Sequence, residues 1–90
     1  MEVTPYRVVY LPKVTTRDIP ALAAPVRDTI RRAIEQRLTA APLQYGKPLQ
    51  HSLHGQRRLR VGDYRVIYQV DNKHRIVTVT AIGHRKNIYH

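Results

Sequence analysis

The stretch RRLRVGDYRVIYQV sets two β-rich segments, Arg57–Val61 and residues 64–70, on either side of Gly62-Asp63. A two-residue connection whose first position is glycine is the mark of a tight hairpin, so the fold must be built around an antiparallel pair. Side chains along a strand alternate between faces, which puts Tyr64, Val66, Tyr68 and Val70 on one side and Arg65, Ile67 and Gln69 on the other. Arg58 and Arg60, two apart, share a face of the partner segment. With the Val/Tyr side inward, Arg65 projects outward, and the register decides whether Arg58 joins it. Asp71-Asn72-Lys73 reads as the next turn, and residues 74–82 read as a third strand stopped by Gly83.

Upstream, residues 3–11 (VTPYRVVYL) form a β-branched and aromatic run, with Pro5 near its start and Pro12 at its end. Residues 13–19 have room for one or two helical turns before Pro20. Pro25 suits the first position of a helix reaching about Thr39, with Val26, Ile30, Ala33, Ile34 and Leu38 on its apolar face. Pro42 closes that helix, and residues 43–55 read as a polar connection. One domain over residues 1–90 is expected. Its class is α+β: an N-terminal strand, two helices, then a three-strand antiparallel meander, with the helices on one face of the sheet.

Charge narrows the function. Sixteen Lys and Arg against six Asp and Glu give a net charge of +10. Self-repulsion on that scale calls for an anionic partner, and nucleic acid is favoured over an acidic protein or a membrane surface. Cysteine is absent, which excludes disulfides, thiol catalysis and thiolate metal sites. No apolar run approaches the ~20 residues of a membrane span, and no signal-peptide core opens the chain, so a cytoplasmic protein is expected. The charge is also lopsided, because no acidic residue follows Asp71. Any single arginine of the hairpin could simply keep a sheet face solvated. The whole set, with so few acids near it, points instead to a phosphodiester-binding surface.

The tail GHRKNIYH adds His84, Arg85, Lys86, Tyr89 and His90, groups able to bind phosphate and move protons. His84 and His90 stand six apart with no carboxylate near, which is no recognised metal motif, so neither metal nor other cofactor is expected.

The hairpin RRLRVGDYRVIYQV together with VTAIGHRKNIY resembles the RelE/ParE toxin superfamily of toxin–antitoxin pairs. VRDTIRRAIEQRLTAAP and GKPLQHSLHG are similar to that family's second helix and the connection to its hairpin, so the likeness covers nearly the whole chain. The RelE branch implies a metal-independent, ribosome-dependent endoribonuclease that cuts mRNA in the ribosomal A site, against rRNA, and so inhibits translation. There the 2′-hydroxyl attacks the adjacent phosphate, leaving a cyclic phosphate and a free 5′-hydroxyl. The resemblance makes Arg65 the ligand of the scissile phosphate and Arg85 the stabiliser of the transition state or a help to the leaving group. It makes Tyr89 a base-stacking residue that can also act as general base.

Arg58 matches the second of two strand lysines in the best-studied members, and the first falls on Gln56, which carries no charge. Arg57 or Arg60 could compensate in a shifted strand. Arginine is a poor base because guanidinium stays protonated, which leaves Tyr89, His84 or His90 to move protons. With Lys86, these residues make up the expected RNA-binding set. The implied partner is an acidic, RelB-like antitoxin that covers the basic face. Two rivals share the fold: a ParE-like inhibitor of DNA gyrase, and a non-catalytic nucleic-acid or antitoxin-binding relative.

Overall fold

The computed structural model describes residues 4–88, which form one five-stranded sheet with helices on one side. The strands are β1 (Arg7–Tyr10), β2 (Lys47–Pro48), β3 (Arg57–Val61), β4 (Tyr64–Asp71) and β5 (Ile76–His84), in the spatial order β1-β5-β4-β3-β2. The β3–β4–β5 meander is antiparallel, as the Gly62-Asp63 turn demands, while β1 lies parallel to β5 with Val8 opposite Val77. Gly62 holds φ at +59°, a left-handed conformation open to glycine at little cost.

Pro12 ends β1, and its carbonyl accepts the hydroxyls of Thr15 and Thr16 at 3.0 and 2.9 Å. This starts a single π-helical turn, Val14–Asp18, where only helical turns of unspecified type were expected. Helix α1 (Ala24–Ala33) carries Pro25 in its first turn, where a missing N–H costs nothing, and runs on through a π-helical segment, Ile34–Leu38. Ile30, Ala33, Ile34 and Leu38 are buried from this stretch, with Val26 packed at the margin. They meet Leu59, Val61, Val66, Tyr68, Val77, Val79 and Ile82 from the sheet. The inward-facing side of the hairpin is therefore the Val/Tyr side.

Four readings need correction. Residues 43–55 are not a plain connection. Pro42 opens a short helix, α2 (Pro42–Tyr45), rather than merely closing the one before, and β2 and a 3₁₀ turn, His51–Leu53, follow. What orders this segment is a tether to the sheet: the Tyr68 hydroxyl donates to Pro42 O at 2.6 Å. The last strand starts later than His74, because the Asp71 carboxylate holds His74 in the turn and Arg75 has φ at +57°. It also runs through Gly83 to His84, since Gly83 pairs with Arg65 within the ladder. Finally, the first strand is only Arg7–Tyr10, the stretch that β5 can pair.

One irregularity matters for the site. Tyr68 pairs with Val79 but Ile67 pairs with Ala81, so Thr80 is an extra residue bulged out of β5. The bulge resets the alternation, which returns Ile82 to the core and puts Gly83 on the outer face beside Arg65.

Candidate nucleic-acid interface

The register left open by the sequence is fixed by the ladder. Arg58 stands opposite Ile67, and Arg60 stands directly opposite Arg65. Because Leu59 and Val61 point into the core, Arg58, Arg60 and Arg65 all rise from the face turned away from the helices. Like charges set directly across a sheet repel, so the Arg60–Arg65 pair makes sense on a surface that receives an anion.

Arg65 is held at the hairpin turn, its Nη1 donating to Gly62 O at 3.0 Å and to Tyr64 O at 2.9 Å. Arg85 comes to the same turn from β5. Its backbone N–H donates to Asp63 O at 2.8 Å, and its Nε lies 3.9 Å from Asp63 Oδ1. That ion pair is more than half exposed on both sides, at 55% and 68%, so it is worth less than about 1 kcal/mol and a phosphate could displace it. Two cations separated by twenty residues thus reach one tight turn. Both are tied through rigid backbone, which fixes where they can present a charge.

Other expected site residues lie elsewhere. Arg57 points to the helix side, where Nη2 donates to Leu43 O at 2.9 Å and Gly46 O at 2.6 Å. It braces α2 and β2 and is not on the outer face. Burial pushes the Tyr68 hydroxyl above its ordinary pKa, and the Arg57 guanidinium beside it acts in the opposite direction. His84 is paired with Tyr64 in the ladder, and the two rings meet edge to face at 5.4 Å and 81°, away from Arg65. Lys86 is exposed in the turn after β5, with its N–H 3.2 Å from His84 Nδ1. Tyr89 and His90 lie outside the described residues.

Gln56 is spent on structure. Its Oε1 accepts the Thr80 hydroxyl at 2.5 Å, and Thr80 also sits 3.3 Å from Ile67 O. Gln56 therefore clamps the bulge rather than facing a substrate proton. Among the described residues no three of His, Asp and Glu gather where one metal ion could be held.

Sequence reasoning missed the sheet edge where this face meets the helix-side segments that carry Arg37 and Tyr45. There a cavity of about 160 Å³ is lined by Arg37, Tyr45, Lys47, Arg58, Leu59 and Arg60. Lys47 reaches it because β2 pairs it with Arg58. The available signal was QYGK, an aromatic and a lysine flanking a glycine between Pro42 and Pro48.

Residues 14–89 match the family described as the ParE toxin of the type II toxin–antitoxin system parDE. Toxin RelG of Mycobacterium tuberculosis is 40% identical over 52 residues, 58% of this chain and 60% of that protein. Toxin RelE of the same organism is 42% identical over 48 residues, 53% of this chain and 50% of that protein. The matches thus span between half and three-fifths of these relatives' lengths. The toxin–antitoxin complex RelBE2 of M. tuberculosis superposes with a TM-score of 0.84 at 31% identity, over 90% of this chain and 99% of that one. The isolated E. coli RelE toxin shares the fold, with a TM-score of 0.71 at 17% identity over 88% of this chain and 83% of that one.

Proposed function

The chain belongs to the RelE/ParE superfamily of type II toxin–antitoxin toxins, and from that premise we propose that it is an endoribonuclease that cuts mRNA on the ribosome. One observation carries the reading: Arg65 and Arg85 converge on the Gly62-Asp63 turn at the end of an arginine-lined face. A phosphate seated there receives charge from both guanidiniums, and Arg60 stands across from Arg65.

In the proposed reaction the 2′-oxygen bonds to phosphorus while the bond from phosphorus to the 5′-oxygen breaks. The 2′-hydroxyl proton leaves to a base, and the 5′-oxygen takes a proton as it departs. The products are a 2′,3′-cyclic phosphate and a 5′-hydroxyl. Arg65 binds the scissile phosphate, and Arg85 stabilises the charge that builds on its oxygens. Arg58 and Arg60 hold the flanking strand. Tyr89 stacks on the base and takes the proton, a role drawn from the family likeness. Gln56 takes no proton, since a carboxamide is not basic and its oxygen already accepts from Thr80.

The partner is an acidic RelB-like antitoxin, in keeping with the +10 charge and with the complexes that structural relatives form. A second reading, inhibition of DNA gyrase, is favoured by the description of the matching family by its ParE member. Mapping cellular mRNA ends after expression of wild type and Arg85→Ala separates the two. Codon-phased cuts in translated messages, absent from Arg85→Ala, support the nuclease. Intact messages accompanied by double-strand DNA breaks assign the target to gyrase.

A further inference from the structure

We propose that the concave patch around Tyr45, at the β2–β3 edge, is a stacking subsite for single-stranded RNA adjoining the cutting face. The inference rests on the RNA reading above and extends it to residues outside the arginine hairpin. Among the described residues Tyr45 is one of few large apolar side chains left in solvent, at 55% exposure. Arg37 Cζ lies 5.9 Å from its ring centroid, and Lys47, Arg58 and Arg60 complete the lining. Among the described residues no acid lines this cavity, and none of Arg37, Lys47, Arg58 and Arg60 forms an ion pair there.

Four cations around an exposed ring form a surface with a definite chemical complement. Phosphates neutralise the cations, and a base offers a flat face to the ring, whatever its identity. A folded duplex would hide its base faces, so the complement is an unpaired strand.

Continuity with the cutting face comes from the ladder. Lys47 pairs with Arg58 across to Ile67, and two residues along the strands Arg60 pairs with Arg65 across to Gly83. Strands lie ~4.8 Å apart, so the path from β2 to β5 covers ~14 Å. That is about four stacked nucleotides at the ~3.4 Å step of a nucleic-acid strand, fewer if the strand is stretched. Arg58 and Arg60 belong to both ends of the path, which makes Tyr45 the anchor for a base beyond the cut.

The test is fluorescence anisotropy of a labelled single-stranded oligoribonucleotide, in full-length protein carrying Arg85→Ala so that the probe stays intact. Adding Tyr45→Ala should weaken binding about 5- to 150-fold, the contribution of one stacked base. Tyr45→Phe keeps the ring and should stay within roughly twofold of the parent. Arg37→Ala should flatten the dependence of log Kd on log salt by about 0.7, one phosphate contact on a single strand. Tyr45 is solvent-exposed, so its variants should remain folded, which thermal melts check.

The proposal is overturned if the parent fails to bind the probe, or if Tyr45→Ala binds RNA as the parent does. It is equally overturned if that variant loses only affinity for the acidic antitoxin, which would make the β2–β3 edge a protein-docking surface. Tyr45-dependent RNA binding with intact cellular messages would overturn only the nuclease assignment. Codon-phased cutting with binding indifferent to Tyr45 would overturn only the subsite.

Discussion

Gly46→Ala tests how the interface edge is held in place. Gly46 has φ at −93° and ψ at 171°, an extended backbone that any residue adopts, so space rather than conformation demands the glycine. A Cβ built there would fall 2.0 Å from Tyr68 Oη, 2.8 Å from Tyr68 Cζ and 3.0 Å from Arg58 O. Tyr68 is fully buried, so it cannot swing into solvent to make room. Either the ring shifts within the core, at about 1–3 kcal/mol for overpacking, or β2 lifts off β3. Both routes stretch the 2.6 Å bond from Tyr68 to Pro42 O, and an acceptor left buried without its donor costs about 1–3 kcal/mol more.

The sum is about 2–6 kcal/mol, and in a domain of this size each kcal/mol moves Tm by roughly 4–8 °C. Urea unfolding of wild type, Gly46→Ala, Tyr68→Phe and the double variant provides the assay. Removing the hydroxyl removes the closest clash, so the double variant should be more stable than the two single effects added together. A loss under about 0.5 kcal/mol for Gly46→Ala, or strict additivity in the cycle, would refute this account of the edge.

Gly62→Ala should cost about 1–2 kcal/mol, because nothing lies within 4 Å of the added methyl and only the left-handed φ of +59° opposes it. A urea midpoint equal to wild type would show that the turn relaxes freely. Asp71 should titrate below its ordinary carboxylate value, because its side chain accepts the backbone N–H and the ring nitrogen of His74. The resulting stabilisation is present above the unfolded carboxylate pKa and fades as pH falls through the lower folded value. Carboxyl NMR titration should show this shift shrinking in part in His74→Ala, which keeps the backbone N–H; an unchanged Asp71 titration would contradict the ring's share. Tyr68 behaves oppositely on the alkaline side. With its pKa raised by burial, stability is full below the ordinary tyrosine value near 10 and declines as pH rises through the folded value, which phenolate absorbance can follow.

The hairpin was legible because its information is local. Gly62 can hold a positive φ, and strict alternation through Tyr64, Val66, Tyr68 and Val70 marks the inner side whatever the rest of the chain does. The face shared by Arg58, Arg60 and Arg65 needed one further datum, the register, which the ladder provides. Contacts between distant segments stayed hidden. Arg57 looked equivalent to its neighbours in sequence, yet its parity and the carbonyls of Leu43 and Gly46 draw it to the helix side. The bulge at Thr80 left no mark on the apolar pattern, although it decides that Gly83 flanks Arg65 and that Gln56 is engaged. Residues 43–55 read as a linker because their order comes from Tyr68 and Arg57, not from their own periodicity.

On the proposed reading, phosphodiester cleavage occurs where Arg65 and Arg85 meet the Gly62-Asp63 turn. The most direct test is single-turnover cleavage of mRNA on programmed ribosomes by purified wild type, Arg65→Ala, Arg85→Ala and Arg31→Ala. Arg31 is an exposed arginine of α1 paired with Asp28 and Glu35, on the helix side, so its loss changes net charge equally without touching the outer face. Cyclic-phosphate ends are expected from wild type and Arg31→Ala at similar rates, with a fall of about 10²–10³-fold in Arg65→Ala and Arg85→Ala. Equal cutting by all four proteins, or equal loss in all three variants, would contradict that reading.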